Sequence, residues 1–375
     1  MKLLNHIYCA AIHTQTLFTG LAALLFISCQ SCTAQPTYKI YPYNKNLHYC
    51  GRNTFIDSTV VLSWPGSSVA ISFRGQALKA WLKDEEGTNY YYTIIDGKRG
   101  EKWHPGTQLK LYTLAGHLKP GLHKVELFKL TEAKWGATIF YGFELPKGAT
   151  TLPYPIPTHN IEFYGNSITC GYAVDDNITD SKAPEYENNY YSYAAITARQ
   201  YNAGYTCIAK SGIGLMLSWF PIIMPEMYDR ATEGDSVKKW DFKSNIPNIV
   251  IIDILQNDSW LVAKPENAQF KARFGASAPD ELFITNAYKY FILHIRSRYP
   301  QASIICTLGS MDATKDTVWV NYIKKAVLQR MTLKYTHTFS PTRIRPATQS
   351  AGSSRIWLIA LSNLLIATCN GSVIF

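Results

Sequence analysis

The chain contains no run of basic residues, although its formal net charge is +10. A nucleic-acid surface gathers Lys and Arg on one stretch or face. Here they are scattered, so the charge is read as a solubility property and no nucleic-acid partner is expected. Eight cysteines are present, but none pair at the spacing of a zinc knuckle. There is also no Gly-rich phosphate cradle, no internal repeat and no low-complexity tract. Neither a metal nor an organic cofactor is expected. No apolar stretch is long enough for a comfortable bilayer span, which takes about 20 residues.

What is present is material for a large core. At 375 residues the chain exceeds one ordinary domain, so two are expected. Hydrophobic residues make up 47% and charged residues 17%, a globular balance. The 25 Tyr and 9 Trp fill sandwich cores or line surfaces that meet flat ligands such as sugars. Residues 1–34 read as an export signal, with Lys2, the apolar "LFTGLAALLFIS" and small residues ending at Ala34. An exported protein is therefore expected, cleaved after Ala34; lipid anchoring through Cys29 is the alternative. Cys50, Cys170, Cys207, Cys306 and Cys369 survive that cleavage, and the sequence assigns no disulfide among them. It sets no oligomeric state either.

From about Tyr38 to Lys147 short β-rich runs alternate with turns: "TVVLSW", "VAISF", "ALKAWL", "NYYYTIID", "LKLYTL", "HKVELFKL" and "TIFYGFEL". Their β-branched and aromatic residues and their spacing predict an all-β sandwich over 36–147. "TTLPYPIPTHN" carries three prolines and predicts a linker over 148–160. After Asn160 strands alternate with helices. "IEFYG", "YTCIAKSG", "NIVIIDILQND" and "ASIICTLGS" read as strands. "YENNYYSYAAITARQYNA", "ELFITNAYKYFILHIRSRYP" and "DTVWVNYIKKAVLQR" carry the helical period. This predicts an α/β domain over 161–340 with a mostly parallel sheet flanked by helices, and an active site at the carboxyl ends of its strands.

Three residues fall at such ends. Ser167 follows "IEFYGN" on a strand-to-helix turn, where its N–H can face a ligand. Gly212 follows "YTCIAKS", and without a Cβ its N–H can approach an oxyanion closely. Asn257 follows "IIDILQ" and can donate from its side-chain amide. A nucleophile and three donors for a tetrahedral oxyanion suit acyl transfer, where losing one donor costs about 3 kcal/mol of transition-state stabilisation. Taken singly, each is also an ordinary cap or turn residue. Their order along the chain gives the set its weight.

"GNSIT", "SGIG" and "LQND" resemble the first three blocks of the SGNH hydrolases. The closer resemblance is to carbohydrate esterase family 2, over about residues 48–335. It is carried by "LSWPGSSVAISFRG", "NYYYTIIDG" and "HKVELFKLTEAKWGATIFYGFEL" as well, and Lys129 to Ala133 is its most specific stretch. The resemblance implies a jelly-roll-like sandwich ahead of an SGNH domain, and removal of acetyl groups from polysaccharide or oligosaccharide outside the cytoplasm. It implies Ser167 as nucleophile, with Ser167, Gly212 and Asn257 forming the oxyanion hole. Asn166 stands where the family commonly has Asp. Leu255 stands where the third block usually has Gly, which puts close backbone approach there in question. Gly214 rivals Gly212.

The family's base is a His before a Pro near the end of the domain, and here it is missing. None of His6, His13, His48, His104, His117, His123, His159, His294 and His337 fits: His104 precedes Pro105 within the sandwich, and His294 reads as a surface or packing residue of a helix. His337 is the sole late alternative. The stretch after Ser340 contains no Asp, Glu or Lys, and "IWLIALSNLLIAT" is apolar nearly all round. Read two bases further on, the codons of Pro346 to Gln349 permit Gly-His-Pro, and those of Arg355 to Ile359 permit Asp-Met-Ala-Asp. A frame-shifted tail over 341–375 that has lost the catalytic His is therefore expected, with full activity lost as written. The alternative is a non-catalytic carbohydrate-binding protein.

Overall fold

A computed structural model describes residues 36–309, 311–315, 317–331 and 367–368. The amino-terminal part is built from twelve short strands. They are β1 (Thr37–Ile40), β2 (Leu47–Cys50), β3 (Thr54–Ile56), β4 (Thr59–Leu62), β5 (Ser68–Arg74) and β6 (Leu78–Asp84), then β7 (Tyr91–Ile95), β8 (Lys98–Trp103), β9 (Lys110–Ala115), β10 (Leu122–Lys129), β11 (Thr138–Pro146) and β12 (Thr150–Leu152). Two antiparallel sheets result, ordered β3-β4-β11-β6-β9 and β12-β5-β10-β7-β8. Alternation along β6, where Leu78, Ala80 and Leu82 are buried and Lys79, Trp81 and Lys83 less so, turns one set of side chains inward. These residues meet Val69, Ile71 and Phe73 of β5 and Val125 and Leu127 of β10 in the sandwich core. All seven predicted runs are strands. β12 is the difference: part of the predicted linker pairs with β5, Thr151 opposite Phe73. Its three prolines follow it rather than interrupt it.

Beyond Asn160 the order is β13 (Asn160–Gly165), α1 (Ser167–Cys170), α2 (Tyr193–Gln200), β14 (Gly204–Ala209), α3 (Met224–Met227), β15 (Ile249–Asp253), α4 (Gln256–Leu261), α5 (Ala268–Phe274), α6 (Glu281–Arg298), β16 (Ser303–Thr307), α7 (Val318–Met331) and β17 (Ala367–Thr368). The sheet runs β14-β13-β15-β16-β17, its first four strands parallel and β17 antiparallel. β15 is buried on both faces, as a strand between two layers must be. Val250 and Ile252 face Ile284, Tyr288, Phe291 and Ile295 of α6, with Ile323 and Val327 of α7. Ile251 faces the opposite way, toward Tyr193, Ala194 and Ala198 of α2.

That second face also takes Tyr92, Ile94, Phe128 and Leu130 from the sandwich, so the two parts share a core. Polar ties reinforce it. The fully buried Arg52 donates to Glu162 at 3.0 Å, to the Tyr164 hydroxyl at 2.8 Å and to the Tyr228 carbonyl at 2.5 Å. Trp64 Nε1 donates to the Ala231 carbonyl at 2.9 Å. Burial opposes the Arg52 charge, but Tyr164, Glu162 and Tyr299 more than offset it and raise its pKa. Among the described residues no helix is long and apolar enough to cross a membrane. Cys50, Cys170, Cys207 and Cys306 are free thiols, and Cys369 lies outside the described residues.

Candidate active site at the carboxyl edge of the parallel sheet

Gly165 is level with Ala209 on one side and with Asp253 on the other, so β13, β14 and β15 end together. Neighbouring strands lie about 4.8 Å apart, and the residues just past these ends crowd into one crevice. It lies where the chain turns to opposite sides of β13, the usual ligand position in such sheets. Ser167, Gly212 and Asn257 each sit on one of the three segments leaving these ends.

Ser167 opens α1 and is half-buried. Asn166 caps the turn: its Oδ1 accepts from the Ile168 N–H at 3.0 Å. Its Nδ2 is buried without a partner, a donor that the family's Asp would not carry. Gly165 admits no side chain, because a Cβ there would collide with Thr169 Oγ1. Neither the hydroxyl nor the N–H of Ser167 is spent on another described residue, so both are uncommitted.

Gly212 adopts φ 85°, the left-handed region that favours glycine. Its N–H also carries no hydrogen bond among the described residues. Gly214, the rival, is committed elsewhere: its N–H donates to Ser218 Oγ at 2.9 Å. A Cβ on Gly214 would collide with the Leu217 carbonyl, so its glycine serves close packing.

Asn257 is buried and aimed from two sides. One Nδ2 hydrogen goes to the Ile213 carbonyl at 2.7 Å, and Oδ1 accepts from Trp219 Nε1 at 3.1 Å. The second amide hydrogen remains for a ligand. Asp258 fixes the segment facing it, accepting from the N–H groups of Leu215, Met216 and Leu217 at 2.8, 2.7 and 3.0 Å. Burial pushes Asp258 up to about 6 despite those bonds. Leu255 answers the question raised by the missing glycine. It takes φ 97° and ψ −10° with its side chain wholly buried, so the left-handed turn is kept with a leucine in it.

The sandwich reaches this crevice through Glu132. One carboxylate oxygen accepts from the Ser211 N–H at 2.7 Å, and the other accepts from the Ser211 hydroxyl. The residue before Gly212 is thus held by a buried carboxylate from the other half of the chain. The Glu132 N–H in turn donates to Glu187 Oε2 at 2.8 Å, and Lys134 Nζ bridges both carboxylates at 3.2 and 2.8 Å. Burial first, then the Glu132 charge, raises the Glu187 pKa, while Lys134 opposes them. Lys129, buried nearby, donates to the Thr131 and Glu132 carbonyls and shapes the loop that carries Glu132.

Asp253, at the end of β15, is buried with neither oxygen in direct hydrogen-bond contact. Burial, the largest cause, raises it to about 6. Sequence reasoning passed over Glu132, Asp258, Trp219 and Asp253. Glu132 and Asp258 do lie inside the stretches that carry the family resemblance, but no spacing rule showed what they would hold.

The described histidines belong to other parts of the fold. His48 Nε2 meets Cys50 Sγ at 3.3 Å, and the His104 ring packs on Tyr90. His117 is in a positive-φ turn, and His123 bonds Asp96 and the Lys119 carbonyl. His159 precedes the amino end of β13, away from Ser167, and the exposed His294 stacks on Tyr228, as a helix-surface residue would. His6, His13 and His337 lie outside the described residues.

An antiparallel sandwich sharing its core with a parallel sheet of this order is the build of a carbohydrate esterase of the SGNH type. The family model for the carbohydrate esterase 2 N-terminal region matches residues 49–155. The structure of a family two carbohydrate esterase from Clostridium thermocellum, solved with cellohexaose, is 31% identical. It superposes with a TM-score of 0.67 over 77% of this chain and 86% of that one. The chain belongs to carbohydrate esterase family 2. Among curated proteins, the cellulase/esterase CelE of Acetivibrio thermocellus is 34% identical over 273 residues, 72% of this chain; the match spans only 31% of CelE. An acetylxylan esterase/glucomannan deacetylase of Cellvibrio japonicus is 27% identical over 302 residues, 76% of this chain and 78% of that protein.

Proposed function

We propose that the chain is an extracytoplasmic serine esterase that removes acetyl groups from polysaccharides. The sandwich domain, expected over 36–147, extends through β12 to Leu152, so the linker expected over 148–160 shortens to 153–159 and the SGNH domain runs from β13 to about 340. Ser167 Oγ attacks the acetyl carbonyl and gives its proton to a base. The resulting oxyanion accepts from the Ser167 and Gly212 N–H groups and from Asn257 Nδ2. Collapse expels the sugar hydroxyl, which takes up the proton, and leaves acetyl on Ser167. Water then releases acetate. The observation that carries this reading is the convergence of an uncommitted serine, an uncommitted glycine N–H and a doubly anchored Asn257 past three level strand ends. The acetylxylan esterase named above supports the choice of acyl group.

None of the described histidines supplies the base, and the expected His-Pro block is missing from the sequence as written. We therefore assign the residues after about 340 to a shifted reading frame, with weak or no turnover by the chain as written. Acetate release from acetylated xylan and glucomannan tests this with three proteins: the chain as written, a chain with its tail restored from the neighbouring frame, and the restored chain carrying Ser167→Ala. Restoration should raise the rate, and Ser167→Ala should abolish it. Deacetylation that survives Ser167→Ala removes the nucleophile assignment. A restored chain that stays inactive while binding polysaccharide would favour the second reading, a non-catalytic carbohydrate-binding protein, which the lack of a base among the described histidines supports.

A further inference from the structure

A sizeable cavity lies away from Ser167. It lies where the outer face of the second sandwich sheet runs out from under α2, and has a volume of about 550 Å³, continuous with a second space of about 310 Å³. Both are within the usual range for small-molecule sites, about 300–1,000 Å³. Glu126, Tyr154, Tyr190 and Arg199 line both spaces. Ala203 and Pro157, at the amino ends of β14 and β13, mark the far wall. Ser167 follows the opposite end of the six-residue β13, so the two places are separated by about 20 Å of strand.

The chemistry of this lining is unusual for a mere crevice between packed parts. The Arg199 guanidinium makes no hydrogen bond or ion pair among the described residues; it lies 3.6 Å from the centre of the Tyr190 ring. Glu126 projects from the middle of β10 between the inward-facing Val125 and Leu127, where Ser68 bonds its carboxylate and Arg199 is near enough to act on its charge. Burial raises the Glu126 pKa, opposed by Ser68 and by the Arg199 charge, while the Arg199 side chain itself reaches solvent at the cavity mouth. Tyr154 stacks on His48 with an interplanar angle of 2°, which fixes its ring as one wall. Asp96 and Lys124 stand at the rim, the Asp96 carboxylate already held by the Lys124 N–H at 2.8 Å and by His123 at 2.7 Å.

We propose that this groove is a second saccharide site, distinct from the crevice at Ser167, that takes a short neutral stretch of oligosaccharide. Separated opposite charges suit a ligand whose hydroxyls both donate and accept: Glu126 accepts from one hydroxyl while Arg199 donates to another. An anionic ligand would gain Arg199 and Lys124 but meet Glu126 and Asp96, and a cationic ligand would meet the reverse. The apolar faces of sugar rings pack against Tyr154 and the apolar floor of Ala70, Ile94 and Phe128. The inference is independent of whether Ser167 is a nucleophile.

Calorimetric titration of the full chain tests it, using cellohexaose and xylohexaose with hexagalacturonate as the anionic comparison. Ser167→Ala with Trp219→Ala strips the crevice of its serine hydroxyl and of the ring that holds Asn257. That protein should still bind at least one neutral hexasaccharide saturably, and hexagalacturonate more weakly. Adding Tyr154→Ala or Glu126→Gln should weaken the remaining binding at least tenfold. Arg199→Lys, which keeps the charge but not the fork, should weaken it less than Arg199→Met. Near-ultraviolet circular dichroism shows whether each variant is folded, and a crystal soak with the tighter neutral sugar locates it directly. No saturable binding, binding unmoved by all groove variants, or a preference for hexagalacturonate would each overturn the proposal.

Discussion

Replacing Leu255 by Gly restores the residue usual in this family and sets two effects against each other. Leucine at φ 97° carries left-handed strain of about 1–2 kcal/mol, which glycine would relieve. However, the Leu255 side chain is completely buried in the cluster with Ile252, Ile254, Tyr288 and Leu308. Emptying such a site costs about 3–5 kcal/mol, and glycine adds about 0.5–1 kcal/mol through the freedom of its unfolded chain. The cavity outweighs the strain, so Leu255→Gly should destabilise the protein by about 2–4 kcal/mol. Urea unfolding followed by tryptophan fluorescence measures it, the midpoint falling at unchanged slope. A variant as stable as the parent, or more stable, would refute the reasoning and mean that the core around Leu255 is loosely filled.

Three further outcomes are expected. Asp253 has its pKa raised from 3.8 to about 6, so the folded state holds the extra proton and its stabilising share is lost as pH rises through 6. Asp253→Asn should therefore be more stable at pH 8 by about 1–3 kcal/mol and flatten the stability profile between pH 4 and 6; a variant no more stable at pH 8 counts against this. Arg52→Met leaves Glu162 buried and unpaired, and should cost about 3–5 kcal/mol in the same unfolding assay; a loss under 1 kcal/mol would mean water reaches Glu162. Glu132→Gln keeps one acceptor for Ser211 but loses the charge, so amide exchange at Ser211 should accelerate at least tenfold; unaltered exchange would show that Glu132 does not hold that loop.

Local alternation made the sandwich strands legible, because each inward residue recurs every second position and turns supply the punctuation. The Ile and Val runs of β15 and β16 likewise read as strands buried on both faces. Short edge elements such as β3 and β12 were not legible: three residues give no periodicity, and only their pairing with β4 and β5 makes them strands. The helix expected across residues 186–203 begins only at Tyr193. Ser192 caps it, while the side chains of Asn188 and Asn189 are spent on Tyr92, Asp175 and the carbonyls of Thr169 and Cys170. At the site, positions after strand ends were visible but their supports were not. Glu132 and Ser211 stand 79 residues apart, and no local pattern announces that a carboxylate in one half steadies a loop in the other. At Leu255 the resemblance marked the missing glycine, but the leucine itself gave no sign that the left-handed turn is kept.

The sharing of Tyr92, Ile94, Phe128 and Leu130 with the layer over Ile251 also bears on how such a chain can be cut and recombined. A shortened chain begun at the prolines would expose that apolar layer, orphan Glu162 and leave Ser211 untethered. Transplanting the esterase half into another multimodular protein therefore requires moving the sandwich with it. The unit of exchange is the whole span from the first sandwich strands through α7, and a protease nick between the halves should leave them associated.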